Sequence, residues 1–217
     1  MAINTERLYE LACENLRGVC ARADLNYDYV LMHIAEFKGI SYGDTAAALE
    51  IYLMAKDELG KAKGGTAYSA VKRFIKGCSD QRPDFKGVWY DADDRQCMCD
   101  GYHVLRLKNH VEGFNTVKGM DLEKVFPQDY ELVAELPMPT PGELKINKRK
   151  LDSYRGAATV YDFGDNLPLV NADYLKNIMD CLPDAKAYVT DHPLTGPIIF
   201  KSDKGDALLL PVRKKTA

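Results

Sequence analysis

The chain has 217 residues, of which 46% are hydrophobic and 28% charged, with a formal net charge of −3. That length holds one large or two small cores, and the composition is that of an ordinary globular protein. No apolar run approaches the ~20 residues of a membrane span, and M-A-I-N-T-E-R-L-Y-E lacks the basic-then-apolar layout of a signal peptide, so the expected compartment is the cytoplasm, with no membrane partner. The charge is uneven: residues 1–60 hold 5 basic and 10 acidic residues, and residues 61–217 hold 24 and 22. A DNA partner would therefore have to meet a local basic surface.

In chain order, the first elements read as helices. Leu8, Leu11, Ala12, Leu16, Val19 and Cys20 recur at three- and four-residue steps, with Asn4 or Thr5 as cap. A second helix is expected over 27–38 with Gly39 as its stop, and a third from Asp44 to about residue 59. The segment 34–45 has the outline of a helix-turn-helix, but it offers no Arg or Lys to a major groove, so packing helices are the better reading. G-K-A-K-G-G at 60–65 is the expected linker. A fourth helix over 67–76 turns Ala67, Ala70, Val71, Phe74 and Ile75 to one face and Lys72, Arg73 and Lys76 to another.

The period then changes. F-K-G-V-W-Y-D, Q-C-M-C-D and Y-H-V-L-R-L-K alternate as strands, and a loop-rich stretch follows, marked by Pro127, Pro137, Pro139 and Pro141. Beyond it the pattern predicts strand E-L-K-I-N, helix K-R-K-L-D-S-Y-R and strand A-T-V-Y-D-F. Last come strand L-P-L-V-N, a helix capped by Asn171, and three short strands. The two halves after residue 66 share one plan, a helix followed by short antiparallel strands. The fold class is α+β, with a helical N-terminal segment (1–62) and a helix-plus-antiparallel-sheet domain (66–214) divided near 138–143.

Six cysteines are spread through helix and strand patterns, as free thiols in a reducing compartment are. Cys97, Cys99, His103 and His110 give C-x-C-x3-H-x6-H, which fits no usual zinc spacing. Searches for G-x-S-x-G, H-E-x-x-H and a phosphate-cradling glycine loop return nothing, so no cofactor, metal or catalytic residue is expected.

Three segments carry a resemblance. The terminal L-P-L-V-N-A-D-Y-L-K-N-I-M with its closing A-L-L-L-P-V-R resembles the last half-domain of bacterial sliding clamps, the DNA polymerase III beta subunit. The turn Asp100-Gly101 is similar to the Thr-Asp-Gly-His-Arg-Leu turn of that family, and Phe126-Pro127-Gln128-Asp129-Tyr130 to its Phe-Pro-Asp-Tyr segment, in the same order. Cys99 stands for Thr, Tyr102 for His and His103 for Arg, Gln128 is additional, and residues 1–60 match no part of a clamp. The resemblance, over about 66–214, implies a truncated or divergent DNA-clamp-like domain.

The function it implies is a non-enzymatic DNA replication accessory protein, a processivity factor. Such a protein holds duplex DNA weakly without reading bases and binds the peptide motifs of replication proteins. Encircling DNA would require a homo-oligomer. By motif, the peptide pocket maps onto Gly101, Tyr102, His103, Val104, Pro127, Leu208, Leu210, Pro211 and Val212. Alternation equally makes Leu208, Leu210 and Val212 the buried face of a terminal strand. DNA contact falls on Lys72, Arg73 and Lys76 of one expected helix, on Lys148, Arg149, Lys150 and Arg155 of the other, and on Lys176, residues that a solvated helix face also explains. The alternative function is a protein-interaction module, a clamp-mimicking regulator of a mobile element with no DNA binding of its own.

Overall fold

A computed structural model describes residues 4–38, 43–79, 81–126, 131–147, 149–153 and 156–212. The chain divides into two compact units, residues 1–65 and 66–217.

The first unit is helical. Asn4 caps α1 (Thr5–Arg22), its side chain accepting the Arg7 N–H, and Asn26 caps α2 (Tyr27–Met32) through the Tyr29 N–H. The helix expected over 27–38 is two, because His33 (φ −116°, ψ 37°) leaves helical geometry before α3 (Ile34–Lys38). Leu16, Val19, Cys20, Val30, Phe37, Ala48, Leu49 and Tyr52 form the core. Leu8 and Leu11 lie outside it and are exposed. The turn of the helix-turn-helix outline, 39–42, lies outside the described residues. α4 (Gly43–Gly77) corrects the expected linker: residues 60–64 stay helical, and Gly65 (φ 54°, ψ −131°) alone breaks the helix. Lys61 adds to this helix by ion-pairing back to Asp57 and Glu58, one turn earlier.

The second unit is built on a seven-stranded antiparallel sheet. Its strands are β1 (Trp89–Tyr90), β2 (Gln96–Cys99), β3 (His103–Leu107), β4 (Ala134–Leu136), β8 (Lys186–Val189), β9 (Ile198–Ser202) and β10 (Gly205–Leu209), in the order β1-β2-β3-β10-β9-β8-β4. One plan occurs twice: residues 66–77 of α4 precede β1-β2-β3, and α6 (Ala172–Cys181) precedes β8-β9-β10. The halves meet where β10 pairs with β3, Leu208 opposite Val104 and Leu209 opposite His103.

The central strands β2, β3, β10 and β9 are largely buried on both faces, and the alternation sorts their side chains into two layers. Met98, Leu105, Phe200, Ala207 and Leu209 pack with Phe74 of α4 and with Leu175 and Ile178 of α6. Cys97, Cys99, Val104, Ile199 and Leu208 pack with Trp89 and Leu122. The loop-rich stretch after β3 supplies that second layer, with Val117, Val125 and Phe126 seated against it and the Arg106 guanidinium 3.7 Å from the Phe126 ring centre.

Between the halves the order of elements differs from expectation. Residues 143–147, read as a strand, belong to α5 (Pro141–Asn147), and 148–155, read as a basic helix, contain β5 (Arg149–Ser153). β5 pairs with β6 (Gly156–Asp162), and β6 with β7 (Leu169–Asn171), in a separate three-stranded sheet. α5 begins at a capping box, T-P-G-E: Thr140 Oγ1 accepts the Glu143 N–H, and Glu143 Oε2 accepts the Thr140 N–H at 2.7 Å. Pro141 then takes the first helical position, where a missing N–H costs nothing.

Candidate functional site

The turn between β2 and β3 is fixed by Asp100. Its Oδ1 accepts the N–H groups of Tyr102 (2.8 Å) and His103 (2.9 Å), while Gly101 turns at φ 91°, a backbone shape a side chain would oppose. His103 is buried, 1% exposed, beneath both helices of the repeated plan. Its ring lies 3.8 Å from the Phe74 ring of α4 and stacks on Tyr174 of α6 at 4.2 Å. Its Nδ1 stands 2.9 Å from Asp100 Oδ1 but is not aligned for a hydrogen bond, and Nε2 has no partner among the described residues. Burial first, then the Asp100 carboxylate that its hydroxyl bonds, pushes Tyr174 up to about 12.

Around this turn the expected pocket residues are partly assembled. Tyr102 (37% exposed) stacks on Tyr174 at 6.3 Å, and its carbonyl accepts the Leu210 N–H at 2.9 Å. Leu210 is 41% exposed, and Pro211 and Val212 are half-buried as the chain runs to β7, where the Val212 N–H meets the Leu169 carbonyl at 2.7 Å. Tyr102, Leu210, Pro211 and Val212 thus share a short, partly exposed apolar crescent at the β3–β10 seam. Val104 and Leu208 lie in the core layer beneath the covering loop, and His103 lies under the helices. None of these three is at the surface as a peptide contact. Pro127 lies outside the described residues.

The basic residues separate into two groups. Lys72, Arg73 and Lys76 are exposed on α4, and Lys176 is on α6. Those two helices are tied together: Arg73 donates to Asn177 Oδ1 at 3.0 Å and to Asp180 Oδ2 at 2.5 Å, and Lys176 reaches the same Asp180 oxygen. Asp180 therefore absorbs part of the charge of two expected DNA contacts. Arg149 and Lys150 stand on β5, not on a second basic helix. Arg149 pairs across the hairpin with Asp162 at 2.6 Å. Lys148 and Arg155 lie outside the described residues. The helix paired with α4 is α6.

The sequence reading missed Asp100 as the residue that organises the turn and Tyr174 as the floor of the crescent. Asp100 had a signal: an Asx residue two positions before an N–H in a tight turn. Tyr174 had none, since only the fold brings it to β3. The thiols are free; burial raises Cys78, Cys97 and Cys181 to about 12. Among the described residues no three His, Cys, Asp or Glu side chains gather as metal ligands, and no helix is long and apolar enough to cross a membrane.

The chain matches no known family, no curated protein and no solved structure.

Proposed function

We propose that residues 66–212 form a clamp-like module of a non-enzymatic DNA replication accessory protein, a truncated or divergent relative of the sliding clamps. It holds duplex DNA weakly through its helix layer and captures peptide segments at the crescent. The observation that carries the reading is the repeated helix-plus-three-strand plan, joined at β3–β10, with α4 and α6 tied side by side over one continuous sheet. Lysines on adjacent helices suit phosphate contact without base reading. A partly exposed Tyr-Leu-Pro-Val crescent on a rigid strand pair suits an apolar anchor side chain.

The sharing of Asp180 by Arg73 and Lys176 favours one second reading, the interaction module without DNA affinity. Fluorescence anisotropy with a clamp-binding peptide is the first test. Micromolar binding weakened at least about tenfold by Leu210→Ser supports the proposal, and no binding, or binding indifferent to that change, refutes the peptide site. Peptide binding with no duplex affinity at low salt selects the interaction module. Light scattering on the eluting protein tests assembly: a strict monomer excludes a ring.

A further inference from the structure

We propose that the groove between α5 and α6 is a second binding site, one for a small amphiphilic anion: an apolar body ending in a carboxylate or sulfonate. The groove encloses about 580 Å³, within the ~300–1,000 Å³ of small-molecule sites. Met138, Pro139, Pro141, Leu144, Met179 and Pro183 form its apolar walls. It is separate from the crescent and shares none of its residues.

The wall chemistry selects the ligand. The three prolines have no N–H to offer. The N–H of Thr140 is held by Glu143, that of Leu144 by Thr140, that of Ala185 by Leu182 and that of Asp173 by Asn171. An extended peptide would find few free backbone N–H donors here, and its own carbonyls would be stripped of water with little replacement. A ligand whose body is hydrocarbon loses nothing by entering.

Charge decides the head group. Two carboxylates, Asp173 and Asp180, and two ammonium groups, Lys145 and Lys176, edge the groove. Asp180 is already held by Arg73 and Lys176. Asp173 sits in the first turn of α6, where the helix dipole favours its negative charge. Among the described residues neither Asp173 nor Lys145 has an ion-pair partner, but Arg73, Lys145 and Lys176 outnumber Asp173 and Asp180, so the rim keeps one positive charge in excess, and an anionic head meets it at Lys145.

Isothermal titration of the full chain with decanoate, below its micelle concentration, tests the site, with decyltrimethylammonium as the opposite-charge control. The expected result is saturable decanoate binding, amide shifts confined to 138–145 and 172–185, little binding of the cation, and about tenfold weaker binding in Lys145→Glu. Lys145 is exposed on α5, and an unchanged circular dichroism spectrum establishes that the variant folds. Equal binding of the cation, an unchanged affinity in the variant, or shifts centred on Tyr102 and Leu210 would overturn the proposal. Co-sedimentation with phosphatidylglycerol vesicles that depends on Lys145 would also overturn it, by assigning the cation to a lipid surface. The readouts involve neither DNA nor peptide, so this site and the clamp-like reading fail separately.

Discussion

Asp100 joins the β2–β3 turn to the crescent through one buried oxygen. Two backbone N–H groups depend on Asp100 Oδ1, so Asp100→Ala leaves both unsatisfied and should cost about 1–3 kcal/mol in urea denaturation, with Tyr102 losing its fixed position. Alkali tests the same neighbourhood. Tyr174 is raised from 10.0 to about 12, and the Cys78, Cys97 and Cys181 thiols from 9.0 to about 12, because the fold prefers their neutral forms. The unfolded chain ionises first, so the stability they contribute is full below about pH 9 and lost as pH climbs toward about 12. A spectrophotometric titration should find several tyrosines ionising late, because burial also raises Tyr9, Tyr27 and Tyr161, and Tyr174→Phe should lower that late amplitude by one tyrosine. Thiol chemistry follows burial: with Ellman's reagent at mildly alkaline pH, half-buried Cys13 should react promptly and the five buried cysteines only on unfolding.

At the scale of elements, α5 and the β9–β10 hairpin carry the sharpest expectations. Thr140→Ala removes one arm of the capping box and should lower stability by about 1 kcal/mol, read as a fall in melting temperature. Gly205 (φ 149°) opens β10 with its Cα facing the Arg106 carbonyl, and a Cβ there would stand 2.1 Å from that oxygen. The clash is with backbone that cannot move without parting β3 from β10, so Gly205→Ala should cost more than about 2 kcal/mol and loosen the seam of the two halves. The same elements mark how far the sequence could be read. The helix over 67–76, β2, β3, α6 with its Asn171 cap and the last three strands were legible, because long alternations and clear caps leave one period to choose. Residues 143–153 were not. Leu144 and Ile146 alternate as a strand would, and the T-P-G-E box that outweighs them lies upstream. In R-K-L-D-S, long basic side chains suit a helix intrinsically, and only pairing with β6 selects the strand. Arg149 and Lys150 left the expected DNA face with that one misassigned period. The crescent was legible at Tyr102 and Leu210, since motif order placed them, and alternation offered burial for Leu208, but burial of Val104 and His103 depended on how a loop and two helices pack, which no local pattern announces.

At the scale of the whole molecule, the second unit is one plan used twice. The antiparallel β3–β10 seam places α4 and α6 beside each other, and Arg73 closes the pair. That arrangement gives the helix layer its lysines and the strand seam its partly exposed apolar end, two surfaces of different chemistry on one sheet. The first unit has its own core and an acidic excess. The central claim is that the helix layer holds duplex DNA by charge alone. Anisotropy of a labelled duplex titrated with the full chain at low and at physiological salt measures this directly. The account predicts weak binding that is indifferent to sequence, falls steeply as salt rises, and disappears in the double variant Lys72→Glu, Lys76→Glu while circular dichroism is unchanged. Absence of binding at low salt, or binding that survives both charge reversals, would contradict it.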